Sequence, residues 1–235
     1  MGESGGEPRN VASPDINTED FLAAVDCLGL QPMVDRDKIG LVGICGWGGF
    51  ALSAAAIDTR VKAVATMVMY DMSRVFSQGY FDGNTPEMRL EAKRSLSAIR
   101  WRDAETGIPT PGYPMPDAPS EDVPQFLNDY VEFYKTPRGY HERSVSEQVW
   151  TATTLLSFMN FPLMSYAHEI EVPTLLITAE HAHSRYMSED AYGVLRTQSK
   201  ELFVVPNARH IDFYDNRAGV IPFGKLEEFF KDNLK

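Results

Sequence analysis

Two residues of this chain join reactive chemistry to a local sequence able to present it: Cys45 and His210. Cys45 lies in Gly43-Ile44-Cys45-Gly46-Trp47-Gly48-Gly49, after the short apolar run 39–44 and directly before an alanine-rich segment of helical spacing. That order reads as strand, sharp turn, helix. A turn of this kind lifts one side chain to the carboxyl edge of a sheet, beside the amide-rich start of a helix, where negative charge is favoured. A thiolate is the nucleophilic form of cysteine, and a helix start and a nearby imidazole both promote it. His210 follows the apolar run 201–205 and supplies the imidazole. The chemistry open to a thiol and an imidazole presented in this way is nucleophilic attack by the sulfur.

The elements that must position these residues follow from the apolar pattern. Runs at 39–44, 61–69, 172–178 and 201–205 are too short for helices and rich in β-branched residues, so they predict buried strands. Helices are predicted between them: about 19–28, capped by Asn17 or Thr18 and stopped by Gly29; the alanine-rich segment after Cys45; about 188–196; and a last amphipathic helix marked by Leu226, Phe229 and Phe230. Strands alternating with helices predict a doubly wound, mostly parallel α/β sheet. Sites in such sheets lie beyond the carboxyl ends of the strands. Cys45, Asp71, Glu180 and His210 all fall just past a predicted strand end, so four reactive side chains are expected at one edge.

From about residue 76 to 166 the pattern changes. Prolines interrupt short helical stretches near 86–99 and 123–134, and no strand is evident. The expected division is therefore a core of residues 1–75 and 167–235 with a helical cap inserted at 76–166. Aromatic residues of the insert, among them Phe76, Trp150 and Phe158, either line a ligand pocket or form the insert's own core.

Composition excludes several classes. With 43% apolar residues the 235-residue chain can bury a full core. A net charge of -11 without a basic patch argues against nucleic acid and anionic membranes as partners. No run approaches the roughly 20 apolar residues of a membrane span. Cys27 and Cys45 give neither a disulfide framework nor zinc spacing, and the start carries no secretory pattern; a reducing, cytoplasmic setting is expected. His181 and His183 lack a third ligand at plausible spacing, so no metal site is expected, and His141 and His168 read as structural or exposed. Gly2-Glu3-Ser4-Gly5-Gly6 matches a serine nucleophile pattern, but no strand leads into it, and Ser4 is set aside.

Residues 43–65, 172–190 and 205–215 together resemble the α/β-hydrolase superfamily, especially its dienelactone-hydrolase-like and polyketide-transferase-like branches. In those proteins a strand enters a G-x-[SC]-x-G turn, an alanine-rich helix follows, and the next strand opens with Arg-Val-Lys-Ala, as Arg60 to Ala63 does here. The resemblance implies Cys45 as nucleophile, His210 as general base and acid, and the Gly46 amide as an oxyanion donor, with no cofactor. It implies a small ester, lactone or thioester as substrate.

Three departures accompany it. Trp47 stands where the family has glycine; in a register shifted by two, it would stand where some relatives have serine, leaving no nucleophile. Ala182 stands where the orienting acid is usual, so Asp71, past the preceding strand, is the acid expected instead, with an ion pair to Arg74 as its alternative role. A loop like 2–8 follows the fourth strand in the family, so the first strands and half the oxyanion hole are expected to be missing, as in a truncated product or a fragment. Two other readings stand beside the enzyme: an inactive relative binding a small apolar ligand or partner chain, and a subunit that completes its sheet as a homo-oligomer.

Overall fold

The structure, a computed structural model, describes residues 2–235. Four parallel strands, β1 (Gly40–Ile44), β2 (Ala63–Met67), β3 (Thr174–Ala179) and β4 (Lys200–Val205), form one sheet in the order β1-β2-β3-β4. Every residue of β2 and β3 is buried. This fits their unbroken apolar character, since a parallel sheet is covered on both faces. β1 is an edge strand among the described residues, and its Val42 and Ile44 side chains are exposed.

The chain separates into two compact units: residues 14–75 with 162–235, and residues 2–13 with 76–161. The N-terminal segment thus groups with the inserted region, and residues 162–166 group with the sheet. In the sheet unit, α1 (Pro14–Gly29) packs on α2 (Gly46–Ile57), and α2 packs on β1 and β2. α1 starts five residues before its expected position. Pro14 fixes φ for a first helical turn, so Asn17 and Thr18 lie inside the helix, and the Thr18 hydroxyl donates to the Pro14 carbonyl at 2.7 Å. α3 (Met72–Gln78) follows β2, α7 (Arg185–Val194) lies between β3 and β4, and α8 (Phe223–Asn233) ends the chain. Leu226, Phe229 and Phe230 of α8 pack against a core formed by Ala65, Met67, Leu175, Ile177, Val205 and Phe213.

Arg60 of the Arg-Val-Lys-Ala segment is structural. Its side chain grips the buried Asp58 at 2.7 and 2.9 Å and pairs with Asp26 of α1, tying the end of α2 to the start of β2. That hydrogen bonding holds the Asp58 carboxyl below the usual carboxylate range, against the opposing effect of burial.

The second unit contains α4 (Pro86–Thr106), α5 (Gln125–Tyr134) and α6 (Thr154–Asn160). Its aromatics pack on one another: Trp150 stacks on Phe158 at 5.8 Å, Phe76 meets Phe158 at 5.2 Å, and Tyr80 meets Phe126 at 4.8 Å between ring centroids. Phe158 is the buried member of this cluster, whereas Tyr80 is exposed. Ser4 is exposed in an irregular segment, with no helix leaving its glycine pattern. No helix of the described residues is long and apolar enough to cross a membrane.

Candidate active site

Because all four strands run parallel, the loops after their carboxyl ends share one edge. The bend between β1 and α2 is tight. Cys45 adopts φ 55° and ψ −128°, a conformation that costs a non-glycine residue on the order of 1–3 kcal/mol. Three backbone hydrogen bonds hold it there: the Cys45 N–H donates to Met67 O at 3.0 Å, and the Cys45 carbonyl accepts from Gly48 at 2.9 Å and Tyr70 at 2.8 Å. Cys45 is half-buried, beside Tyr70, Met72, Val75, Tyr186 and Met187.

The glycines around the bend show why the turn closes and how Trp47 is accommodated. A Cβ at Gly43 would lie 2.7 Å from Ala51 Cβ and from Gly48 Cα; one at Gly48 would lie 2.9 Å from Met69 Cα; one at Gly49 would overlap the Tyr70 carbonyl oxygen. Close approach is therefore made at 43, 48 and 49. Trp47 points outward, 41% exposed, with its ring edge on Phe50 at 5.6 Å.

Tyr70, just past β2, joins the parts of the site. Its N–H donates to the Cys45 carbonyl, its hydroxyl hydrogen-bonds Nε2 of His183, and its ring meets that of His210 edge-on at 5.2 Å. His183 and His210 lie 4.8 Å apart between ring centroids. Burial lowers His183 to about 4 and holds the fully buried His210 well below its ordinary value, helped by the repulsion any charge on His183 would exert. Both rings are neutral near pH 7.

Both nitrogens of His210 have partners. Nδ1 lies 2.9 Å from the hydroxyl of the buried Ser184, and Nε2 lies 3.2 Å from the Tyr214 hydroxyl. The residue found at Nδ1 is thus Ser184, two positions after the Ala182 that replaces the family's acid. Asp71, the acid expected there, caps α3: its Oδ1 accepts from the Arg74 N–H at 2.9 Å, and its carbonyl accepts from Val75. The Arg74 guanidinium reaches Asp190 of α7 at 2.7 Å. Glu180 also has a structural task, its Oε2 accepting from the Asn207 N–H at 2.7 Å and joining the loops after β3 and β4.

Sequence reasoning placed Cys45 and Gly46 on the bend where the structure has them, and His210 after the last strand. It did not bring in Tyr70 or Ser184, and it weighed His183 only as a metal ligand. Tyr70 was overlooked for the carboxylate beside it, and a serine directly before a helix reads as an ordinary cap. Among the described residues no three of His, Cys, Asp or Glu converge so as to hold a metal ion.

No protein-family profile matches the chain. The uncharacterised protein PA2218 of Pseudomonas aeruginosa is 54% identical over 235 residues, covering 99% of this chain and 62% of the relative. Its crystal structure superposes with a TM-score of 0.95 over the whole of this chain and 73% of that one. Measured against that relative's full length, the chain spans less than two thirds of it. The α/β hydrolase GrgF from Penicillium superposes with a TM-score of 0.73 at 21% identity, over 100% of this chain and 77% of that one. This chain belongs to one family with PA2218 and has the α/β-hydrolase fold. A shorter match links this hydrolase-fold chain to the thiohydrolase aneE of Aspergillus aculeatus, 39% identical over 66 residues, which are 28% of this chain and 21% of that protein.

Proposed function

We propose that this α/β-hydrolase-fold protein is a cysteine acyl hydrolase or acyl transferase acting on a small thioester or ester. The observation that carries the reading is the strained Cys45, held at the bend before α2 by three backbone hydrogen bonds. Strain of this order clusters at active sites, where it holds a reactive group in place. The thiohydrolase name belongs to aneE; its partial match favours a thioester over a lactone here.

In this reading the proton on Cys45 Sγ passes to Nε2 of His210 as the sulfur attacks the substrate carbonyl carbon. The resulting oxyanion is held by the Gly46 N–H at the start of α2. Collapse of the adduct expels the thiol or alcohol, which takes the proton back from His210. Water then gives a proton to His210 and attacks the acyl-Cys45 carbonyl; the adduct collapses to the free acid and the departing sulfur takes the proton back from His210. A second acceptor in place of water makes the same cycle a transfer.

The hydroxyl, in place of a carboxylate, beside Nδ1 favours a second reading, a relative that binds small apolar ligands without turning them over. A panel of acyl thioesters and activated esters separates the two. Turnover that falls at least 1,000-fold in Cys45→Ala, with folding retained, is expected for the enzyme. Turnover unchanged in that variant, or absent from the parent protein, removes the enzymatic reading.

A further inference from the structure

We infer that Ser184 is the positioning residue of His210, fixing the imidazole with its proton on Nδ1 and leaving Nε2 as the base. The inference rests on the acyl-transfer reading of Cys45 and His210 given above.

Ser184 precedes α7, where a serine side chain ordinarily accepts a hydrogen bond from the first helical turn. Here it makes no capping bond. It is fully buried, and its Oγ lies 2.9 Å from His210 Nδ1 and 3.4 Å from the Val68 carbonyl oxygen. In the inferred arrangement the hydroxyl donates to the Val68 carbonyl, which can only accept, and turns a lone pair toward Nδ1. Nδ1 must then carry hydrogen. Nε2 keeps its lone pair and accepts from the Tyr214 hydroxyl, which substrate or the thiol would displace during the reaction.

The consequence is a charge-free support. A carboxylate at Nδ1 would stabilise the imidazolium; a hydroxyl supported by a carbonyl orients the ring without doing so. The rings of His183 after β3, Tyr70 after β2 and Tyr214 on its own segment all meet that of His210. The base is thus a neutral imidazole that takes its proton during attack, and activity should persist into mildly acidic solution.

The test combines imidazole nitrogen NMR of His210 with kinetics of Ser184→Ala, Ser184→Thr and Ser184→Asp on a thioester. For the parent protein the spectrum should show a neutral ring protonated on Nδ1 at pH 7. Ser184→Ala should lose that fixed tautomer and lower kcat by about 10–100-fold with KM little changed; Ser184→Thr should recover part of the loss. Ser184→Asp should move the acid limb of the kcat/KM profile to higher pH. An unchanged tautomer, kcat and pH profile in Ser184→Ala would overturn the assignment while leaving Cys45 chemistry standing. If the parent turns over no acyl donor, the tautomer alone decides: its loss in Ser184→Ala supports positioning, and its retention refutes it.

Discussion

At the level of single residues, the site is marked by groups held away from their ordinary states. Cys45 sits in a backbone conformation that glycine would adopt more cheaply. Cys45→Gly should therefore be more stable than Cys45→Ala by about 1 kcal/mol while both lack turnover, as read from urea midpoints. The histidines offer a second check. Burial keeps His183 and His210 neutral in the folded chain. As pH falls below about 6.5 the unfolded chain binds protons first, so their contribution to stability is complete above that value. For His183 it is lost progressively down to about pH 4. His183→Asn should flatten the stability profile across this window by up to one proton, about 1.4 kcal/mol per pH unit. A slope identical to that of the parent would show that the ring titrates normally.

At the level of elements, the four strands and their parallel order were legible in the sequence because short valine- and leucine-rich runs bounded by turns have few alternatives. All four strands lie within two residues of their expected limits. The bend at Cys45 was legible for the same reason, as glycines crowd one short stretch between an apolar run and a helix. The partner of His210 was not legible, because it depends on how the loop 180–184 folds back and no periodicity governs that path. Expecting a carboxylate led to Asp71, whose short side chain caps its own helix. Trp47 fits because its side chain turns outward; the close approaches where one methyl group would collide are at Gly43, Gly48 and Gly49. Gly49→Ala should cost about 2–3 kcal/mol and most of the turnover by displacing Tyr70, whereas Trp47→Ala should cost about 1 kcal/mol or less in thermal and urea unfolding. Equal losses in the two variants would contradict this packing.

At the level of the whole molecule, four loops from one parallel sheet carry the reactive groups, so the fold itself assembles the site. The second unit has an aromatic cluster of its own. The central claim is that the bend exists to present a nucleophilic sulfur. Intact-protein mass spectrometry after brief mixing with an acyl thioester tests it most directly. The account predicts one added acyl group, mapped to Cys45 and absent from Cys45→Ala, that accumulates when His210→Ala slows its hydrolysis more than its formation. A protein of unshifted mass under conditions where thioester is consumed, or an acyl group found on the exposed Cys27, would contradict it.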